Sequence, residues 1–193
     1  MNQPSAKSPR FPALTMEQLH IYQKPLGEQI MKVSSVGLGG PYNTLLRSPV
    51  LGQRMFDLLY YLRWTSSISL RLVEFAILIV GRQWRSQVEW YAHAPIAIKA
   101  GLRPEIIADL KLQKRPDNMQ ADEAAAYDFL TELLATHCVS DATFAQAKKI
   151  FDEQQIVDLT TVAGTYTTIA MLLAMSEATV PEGKELPFKA GEP

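Results

Sequence analysis

The sequence predicts an all-α protein, and three observations lead to this fold class. Apolar residues recur three or four positions apart, as Ala125, Phe129 and Leu133 do, which places them on one face of a helix. Helix-boundary signals flank such segments: Gly101 is suited to end one helix, and Pro104 is suited to begin the next. No convincing run of alternating apolar and polar residues, the pattern of a half-buried strand, is present.

Length and composition indicate one domain with irregular ends. The chain has 193 residues, of which 47% are hydrophobic and 20% are charged, a normal globular balance. Prolines among polar residues predict that residues 1–14 are disordered. Residues 15–178 are predicted to form the single helical domain, with a first helix from Thr15 and a glycine-rich loop over residues 33–50. Residues 179–193 are predicted to form an irregular tail.

Charge, hydropathy and cysteine usage exclude several classes of protein. The 19 basic and 20 acidic residues leave a net charge of −1, too little to attract nucleic acid. Apolar runs such as Phe75 to Val80 are far shorter than the roughly 18 residues that span a bilayer, and residues 1–12 lack the apolar segment of a signal peptide. We therefore expect no nucleic-acid partner, no membrane and a cytoplasmic location. The single cysteine, Cys138, excludes an intrachain disulfide and a CxxC pair.

Glu74 is the first candidate for a functional residue. It is the one acidic residue in the segment from Leu70 to Val80, in which every residue other than Arg71 and Glu74 is apolar. A helix without a polar face must bury this carboxylate or point it into a cavity, so it needs a partner or a raised pKa. Two interpretations remain open: a functional carboxylate, or a structural ion pair with Arg71 or Arg82.

A stripe of three polar residues is the second candidate. Ser86, Glu89 and His93 have the spacing i, i+3, i+7, which puts them on one side of one helix. Glu89 and His93 are four residues apart and can touch, and a carboxylate beside an imidazole suits a general acid or base. The alternative is an ordinary solvated pair on an exposed helix, which is common.

Metal and cofactor binding have weaker support. Glu74, Glu89 and His93 could supply three metal ligands, but di-iron bundles use Glu-x-x-His from two helices together with further glutamates. The chain has no second copy of such a motif. Gly37 to Gly40 does not follow a predicted strand, so it is not a dinucleotide-binding loop. We therefore expect neither a metal nor an organic cofactor.

Several segments in order resemble one family. Their order and spacing, over roughly residues 40–175, are similar to the core of the carboxymuconolactone decarboxylase-like family of the alkyl hydroperoxidase D-like superfamily. The resemblance implies an all-α domain, a helical bundle that assembles into oligomers, often trimers or hexamers. The matching segments are GPYNTLLRSP at 40–49, LRLVEFAILIVGR at 70–82, EWYAH at 89–93, AGLRPEII at 100–107 and IVDL at 156–159.

The redox branch of this superfamily uses a glutamate, a CxxC pair and a histidine four residues after the second cysteine. Aligned on His93, Glu74 falls on the glutamate, Ser86 on the first cysteine and Glu89 on the second. Thiol-dependent peroxide reduction needs a thiolate and a resolving thiol, which serine and glutamate do not provide. The resemblance therefore implies a member that lacks the CxxC pair.

The decarboxylase branch implies a cofactor-independent carboxy-lyase acting on a small carboxylated lactone or related acid. In that interpretation His93 is the acid or base, Glu89 orients it, and Glu74 is a second proton-handling group. Pro95, inside the predicted helix, departs from the family and is expected to kink it. Two alternatives remain: a diverged alkyl hydroperoxidase D-like protein without redox thiols, and a non-catalytic oligomeric binding protein. The candidate substrate-binding residues are Ser86, Arg47, Arg82 and Arg85, with Arg71 as a further arginine.

Overall fold

The computed structural model describes residues 9–34 and 36–189, and within these ranges the chain forms helices and no strand. This confirms the prediction of an all-α fold. A short 3₁₀ helix, Met16–Gln18, precedes the α-helices. The α-helices of the described ranges are α1 (Lys24–Val33), α2 (Pro41–Leu45), α3 (Pro49–Trp64), α4 (Leu70–Gln83), α5 (Gln87–Lys99), α6 (Pro104–Lys111), α7 (Ala121–Thr136), α8 (Asp141–Ile150) and α9 (Glu153–Ser176).

Helix α4 forms the centre of the main core. Every residue from Leu72 to Arg82 is buried, because α3, α5, α6, α7 and α9 all pack against this helix. The Ser69 hydroxyl begins the helix by accepting a hydrogen bond from the Leu72 N–H at 3.4 Å. A helix covered on all sides needs no polar face, which explains the nearly continuous apolar sequence.

Helix α9 is 24 residues long and packs against α2, α3, α4, α7 and α8. By length and composition it could cross a membrane, since its most apolar 18 residues have a mean hydropathy of 1.4. Within the fold, however, 56% of this 18-residue stretch is buried. The buried Asp158 also accepts hydrogen bonds from the Ser67 N–H and hydroxyl and from the Tyr61 hydroxyl. Helix α9 is therefore part of the core of this fold.

A second, smaller core joins the first three α-helices. Gly52 of α3 lies so close to α2 that a Cβ there would be 2.6 Å from the Leu45 carbonyl oxygen. This close approach fixes α2, and with it Tyr42, against α3. The buried members of this core are Leu19, Leu26, Ile30, Leu38, Leu46 and Phe56.

The N-terminal third differs from the sequence-based expectation. The Thr15 N–H donates to Gln18 Oε1 at 3.0 Å as expected, but this contact caps only a 3₁₀ turn, and α1 begins at Lys24. The predicted loop over residues 33–50 contains α2, which starts after Gly40 at a φ of 58°. Of the segment 1–14, residues 1–8 lie outside the described residues. Residues 9–14 form no helix, and the Arg10 side chain donates to the Met175 carbonyl at 2.8 Å.

The chain after α9 returns to α5. Residues 179–189 form no helix, and the rest of the tail predicted over residues 179–193 lies outside the described residues. Phe188 is buried and packs edge-on against Trp90, with ring centroids 5.1 Å apart. Its N–H donates to Gln87 Oε1 at 2.9 Å, and its carbonyl accepts from Gln87 Nε2 at 2.7 Å. The first turn of α5 is therefore held by the end of the described chain.

Candidate functional site

Glu74 pairs with one residue from each of two neighbouring helices. Its carboxylate is fully buried; Oε2 lies 2.6 Å from His93 Nδ1, and Oε1 lies 3.2 Å from Arg63 Nη2. The prediction of a buried carboxylate with a partner is confirmed. The predicted structural partners are wrong, because Arg71 instead binds Asp122 and Glu123 on α7.

The pairing with Glu74 determines which nitrogen of His93 is available. A carboxylate only accepts hydrogen bonds, so Nδ1 must be the donor, and Nε2 of the neutral ring remains an acceptor. Tyr166 of α9 fixes the ring from another side, edge-on at 5.2 Å between centroids and 88° between planes. Burial raises the pKa of the Tyr166 hydroxyl, so this group keeps its proton.

Glu89 is a buried carboxyl group of a different kind. It is 2% exposed, and neither of its side-chain oxygens has a hydrogen-bond partner among the described residues. Burial raises the pKa of Glu89 to about 8, which the nearby Ser86 side chain offsets only in part. The predicted pairing of Glu89 with His93 is therefore wrong: Glu74 takes the imidazole, and Glu89 keeps its own proton at neutral pH.

These groups meet at one cavity of about 350 Å³. His93 and Glu89 of α5 form part of its wall, whereas Glu74 lies behind His93 and does not line it. Helix α5 continues through the exposed Pro95 without a break, so the proline does not interrupt this wall. The other polar and aromatic lining residues are Ser34, Tyr42, Phe56, Tyr60, Arg63, Trp64, Lys99 and Tyr166.

The four residues predicted to bind substrate do not line this cavity. Ser86 precedes the first turn of α5 without capping it by its side chain. The other three are arginines with contacts outside this lining. The arginines donate to backbone carbonyls: Arg47 to Pro12, Arg82 to Lys111 and Arg85 to Lys189.

Arg63 is the arginine of the site, and it is not among the residues predicted from the sequence. Its guanidinium reaches Glu74 and lies 4.5 Å over the Trp64 ring. One signal could have identified it: Phe56, Tyr60 and Arg63 have the spacing i, i+4, i+7, so an arginine shares a face with aromatic residues. That is the same anomaly, a charge on an apolar face, that singled out Glu74.

Comparison of structures assigns the fold. The chain has the helical fold of alkylhydroperoxidase AhpD-like proteins. It is similar to the AhpD core of an uncharacterized peroxidase-related protein from Ralstonia eutropha JMP134, with a TM-score of 0.77 and 13% identity over 90% of this chain and 93% of that one. It is also similar to an uncharacterized peroxidase-related protein from Silicibacter sp. TM1040, with a TM-score of 0.73 and 15% identity over 92% and 95% of the two chains.

A third similar structure is that of a protein of unknown function from Agrobacterium tumefaciens, a candidate antioxidant defence protein AhpD. The TM-score is 0.63 and the identity 16%, over 70% of this chain and 93% of that one. No family model matches the sequence, and no curated protein matches it. At these identities the comparisons define the fold, and the chemistry must be argued from the site.

Replacing Glu89 should stabilise the protein at alkaline pH. The folded-state pKa of about 8 lies above the ordinary value of 4.5, so the wild type loses stability as pH rises from about 4.5 to about 8. Glu89→Gln removes this ionisation. We expect its free energy of unfolding to exceed that of the wild type by roughly 2–4 kcal/mol at pH 8, with little difference near pH 4.5.

Chemical denaturation at the two pH values measures this effect. Glu74→Gln is the matched control, because it removes a buried carboxylate that is paired with Arg63 and His93. That variant should lose stability at both pH values, by about 3 kcal/mol or more. If Glu89→Gln were destabilising at pH 8, Glu89 would be an ordinary paired carboxylate.

Proposed function

We propose that this protein is a cofactor-independent acid–base enzyme that transfers a proton during the decarboxylation of a small organic acid, such as a carboxylated lactone. One observation carries the proposal: Glu89, which keeps its proton, and His93, which is held by a carboxylate, line the same cavity. Pairs of titratable groups with opposite environments are typical of acid–base sites.

The site residues have distinct roles in this reaction. The bond between the substrate and its departing carboxylate breaks, CO₂ leaves, and the electron pair passes into a conjugated carbonyl of the substrate. Glu89 then donates its proton to the carbon that lost CO₂. His93, whose Nε2 remains an acceptor, returns a proton from water to Glu89. Glu74 and Arg63 position His93, and Glu89 is the proton donor instead of an orienting group.

A thiol peroxidase is the main alternative that the fold suggests. Two of the similar structures are described as peroxidase-related, but peroxide reduction by this class of chemistry needs a thiolate at the site. The sequence has one cysteine, and Cys138 is exposed between α7 and α8, away from the cavity lining. We therefore propose that this AhpD-like fold carries out acid–base chemistry without redox thiols.

The proposal predicts that thiol-dependent peroxidase activity is absent. Purified protein should consume hydrogen peroxide with a dithiol reductant no faster than the reductant alone, because no thiol lines the cavity. Cys138→Ser should leave that background rate unchanged. Robust turnover that this substitution removes would make Cys138 the nucleophile and contradict the prediction.

Activity should depend on the protonated form of Glu89. In an assay of CO₂ release from a panel of small carboxylated lactones, turnover should fall as pH rises through about 8, since Glu89 then loses its proton. His93→Ala and Glu89→Gln should each lower turnover by roughly a hundredfold or more. Glu89 shares the cavity lining with His93, Arg63, Tyr42 and Tyr166, and among the described residues the Ser86 side chain is the one group that lowers its pKa.

Glu28→Gln is the control for these variants, because it neutralises an exposed carboxylate on α1, far from the cavity lining. Reactions run in deuterated water should place one deuterium on the product carbon. Unchanged turnover in Glu89→Gln, or a flat pH profile between 6 and 9, would remove Glu89 from the chemistry.

We further propose that the protein self-associates in the cytoplasm, as a trimer or hexamer. The support is the resemblance noted above together with large apolar side chains left exposed on α9: Val157 is 63% exposed and Met171 is 53% exposed. Light scattering at micromolar concentration should give a mass of more than one chain. A monomer of 21.6 kDa under these conditions would contradict the proposal.

A further inference from the structure

Helix α3 presents a stripe of aromatic rings to the cavity. Phe56, Tyr60 and Trp64 have the spacing i, i+4, i+8, and consecutive ring centroids lie 6.5 and 5.2 Å apart. All three line the cavity. Phe56 is buried, but Tyr60 and Trp64 are 46% and 47% exposed. The stripe therefore leads from solvent into the cavity and leaves flat apolar surface available to a ligand.

Arg63 lies beside this stripe with a hydrogen-bonding group unused. Its side chain is 17% exposed, one terminal nitrogen contacts Glu74, and its buried Nε has no hydrogen-bond partner among the described residues. A buried donor without a partner is costly, and a ligand oxygen would satisfy it. An arginine also matches the geometry of a carboxylate.

Other elements of the lining offer further hydrogen-bond donors. Burial raises the pKa of both Tyr42 and Tyr166, so each hydroxyl keeps its proton, as the unpartnered carboxyl of Glu89 also does. Lys99 adds a positive charge at the rim. The lining thus combines neutral donors with cations, which favours a ligand that carries acceptor oxygens and a negative charge.

We propose that the cavity binds a monocyclic aromatic carboxylate, with its ring against Tyr60 and Trp64 and its carboxylate directed to Arg63. The inference goes beyond the proposed function, since it concerns which class of ligand the same cavity binds, whether or not that ligand is decarboxylated. A flat ring makes offset contacts with the aromatic stripe that a puckered ring cannot make. A cavity of about 350 Å³ suits one ring with small substituents.

Benzoate is the probe, and calorimetry on the full chain measures its binding without any turnover. Benzamide tests the charge and cyclohexanecarboxylate tests the flat ring. We expect benzoate to bind at least about tenfold more tightly than either compound. Trp64→Leu should bring benzoate and cyclohexanecarboxylate to within about threefold of each other, because the stacking surface is lost while Arg63 remains.

Arg63→Gln should weaken the binding of benzoate by about tenfold or more and the binding of benzamide by no more than about twofold. Arg54→Gln is the matched control, because Arg54 is an exposed arginine of the same helix that does not line the cavity. This variant should bind benzoate as the wild type does. Circular dichroism establishes that each variant is folded. Since Arg63→Gln disturbs Glu74, Trp64→Leu keeps the proposal testable if that variant fails to fold.

The outcomes separate this proposal from the proposed function. Equal binding of benzoate and cyclohexanecarboxylate, or no benzoate binding at about 10 mM, overturns the aromatic carboxylate even if lactone acids turn over. Benzoate binding that His93→Ala retains, in a protein without any decarboxylase activity, supports the ligand class and removes the proposed reaction instead.

Discussion

The charge of Glu74 is the constraint on which the rest of the site depends. A carboxylate inside a helix that is covered on every side must be compensated by charges and donors from other helices. Arg63 of α3 and His93 of α5 provide this compensation, so one buried group joins three helices. The arrangement also turns the free nitrogen of His93 away from Glu74. The cavity wall between α3 and α5 follows from the same two contacts.

Glu89 shows how differently the same functional group behaves a short distance away. Both carboxyl groups are removed from water, but only Glu74 has an arginine and an imidazole as partners. Without such partners, burial favours the neutral form, so Glu89 holds a proton that it can donate. An unpartnered buried acid lowers the free energy of unfolding, and such a cost is typical of a residue kept for function instead of packing.

The sequence contains enough information for the helices but not for the contacts between them. Helical spacing and boundary residues predict α4 to α7 closely, and the buried environment of Glu74 follows from its apolar neighbours. The partner of His93 could not be obtained this way. Spacing within α5 favours Glu89, whereas the competing carboxylate comes from α4 and depends on tertiary packing. Arg63 has a signal within its own helix, where it shares a face with Phe56 and Tyr60, but its contact with Glu74 likewise depends on tertiary packing. Helix α2 is missed because five residues among glycines carry little periodic signal.

The segment that ends in Phe188 is a vulnerable part of the fold that does not itself line the cavity. Residues 181–186 are exposed one after another, the usual profile of a site for proteolytic nicking. Phe188 beyond them covers Trp90 and bonds to Gln87, at the turn of α5 that also carries Glu89. One cut in this exposed stretch would leave only noncovalent contacts to keep Phe188 in place. Limited proteolysis here would thus remove the support of the turn that carries Glu89, and with it the function of the cavity, without cutting any residue of the cavity lining.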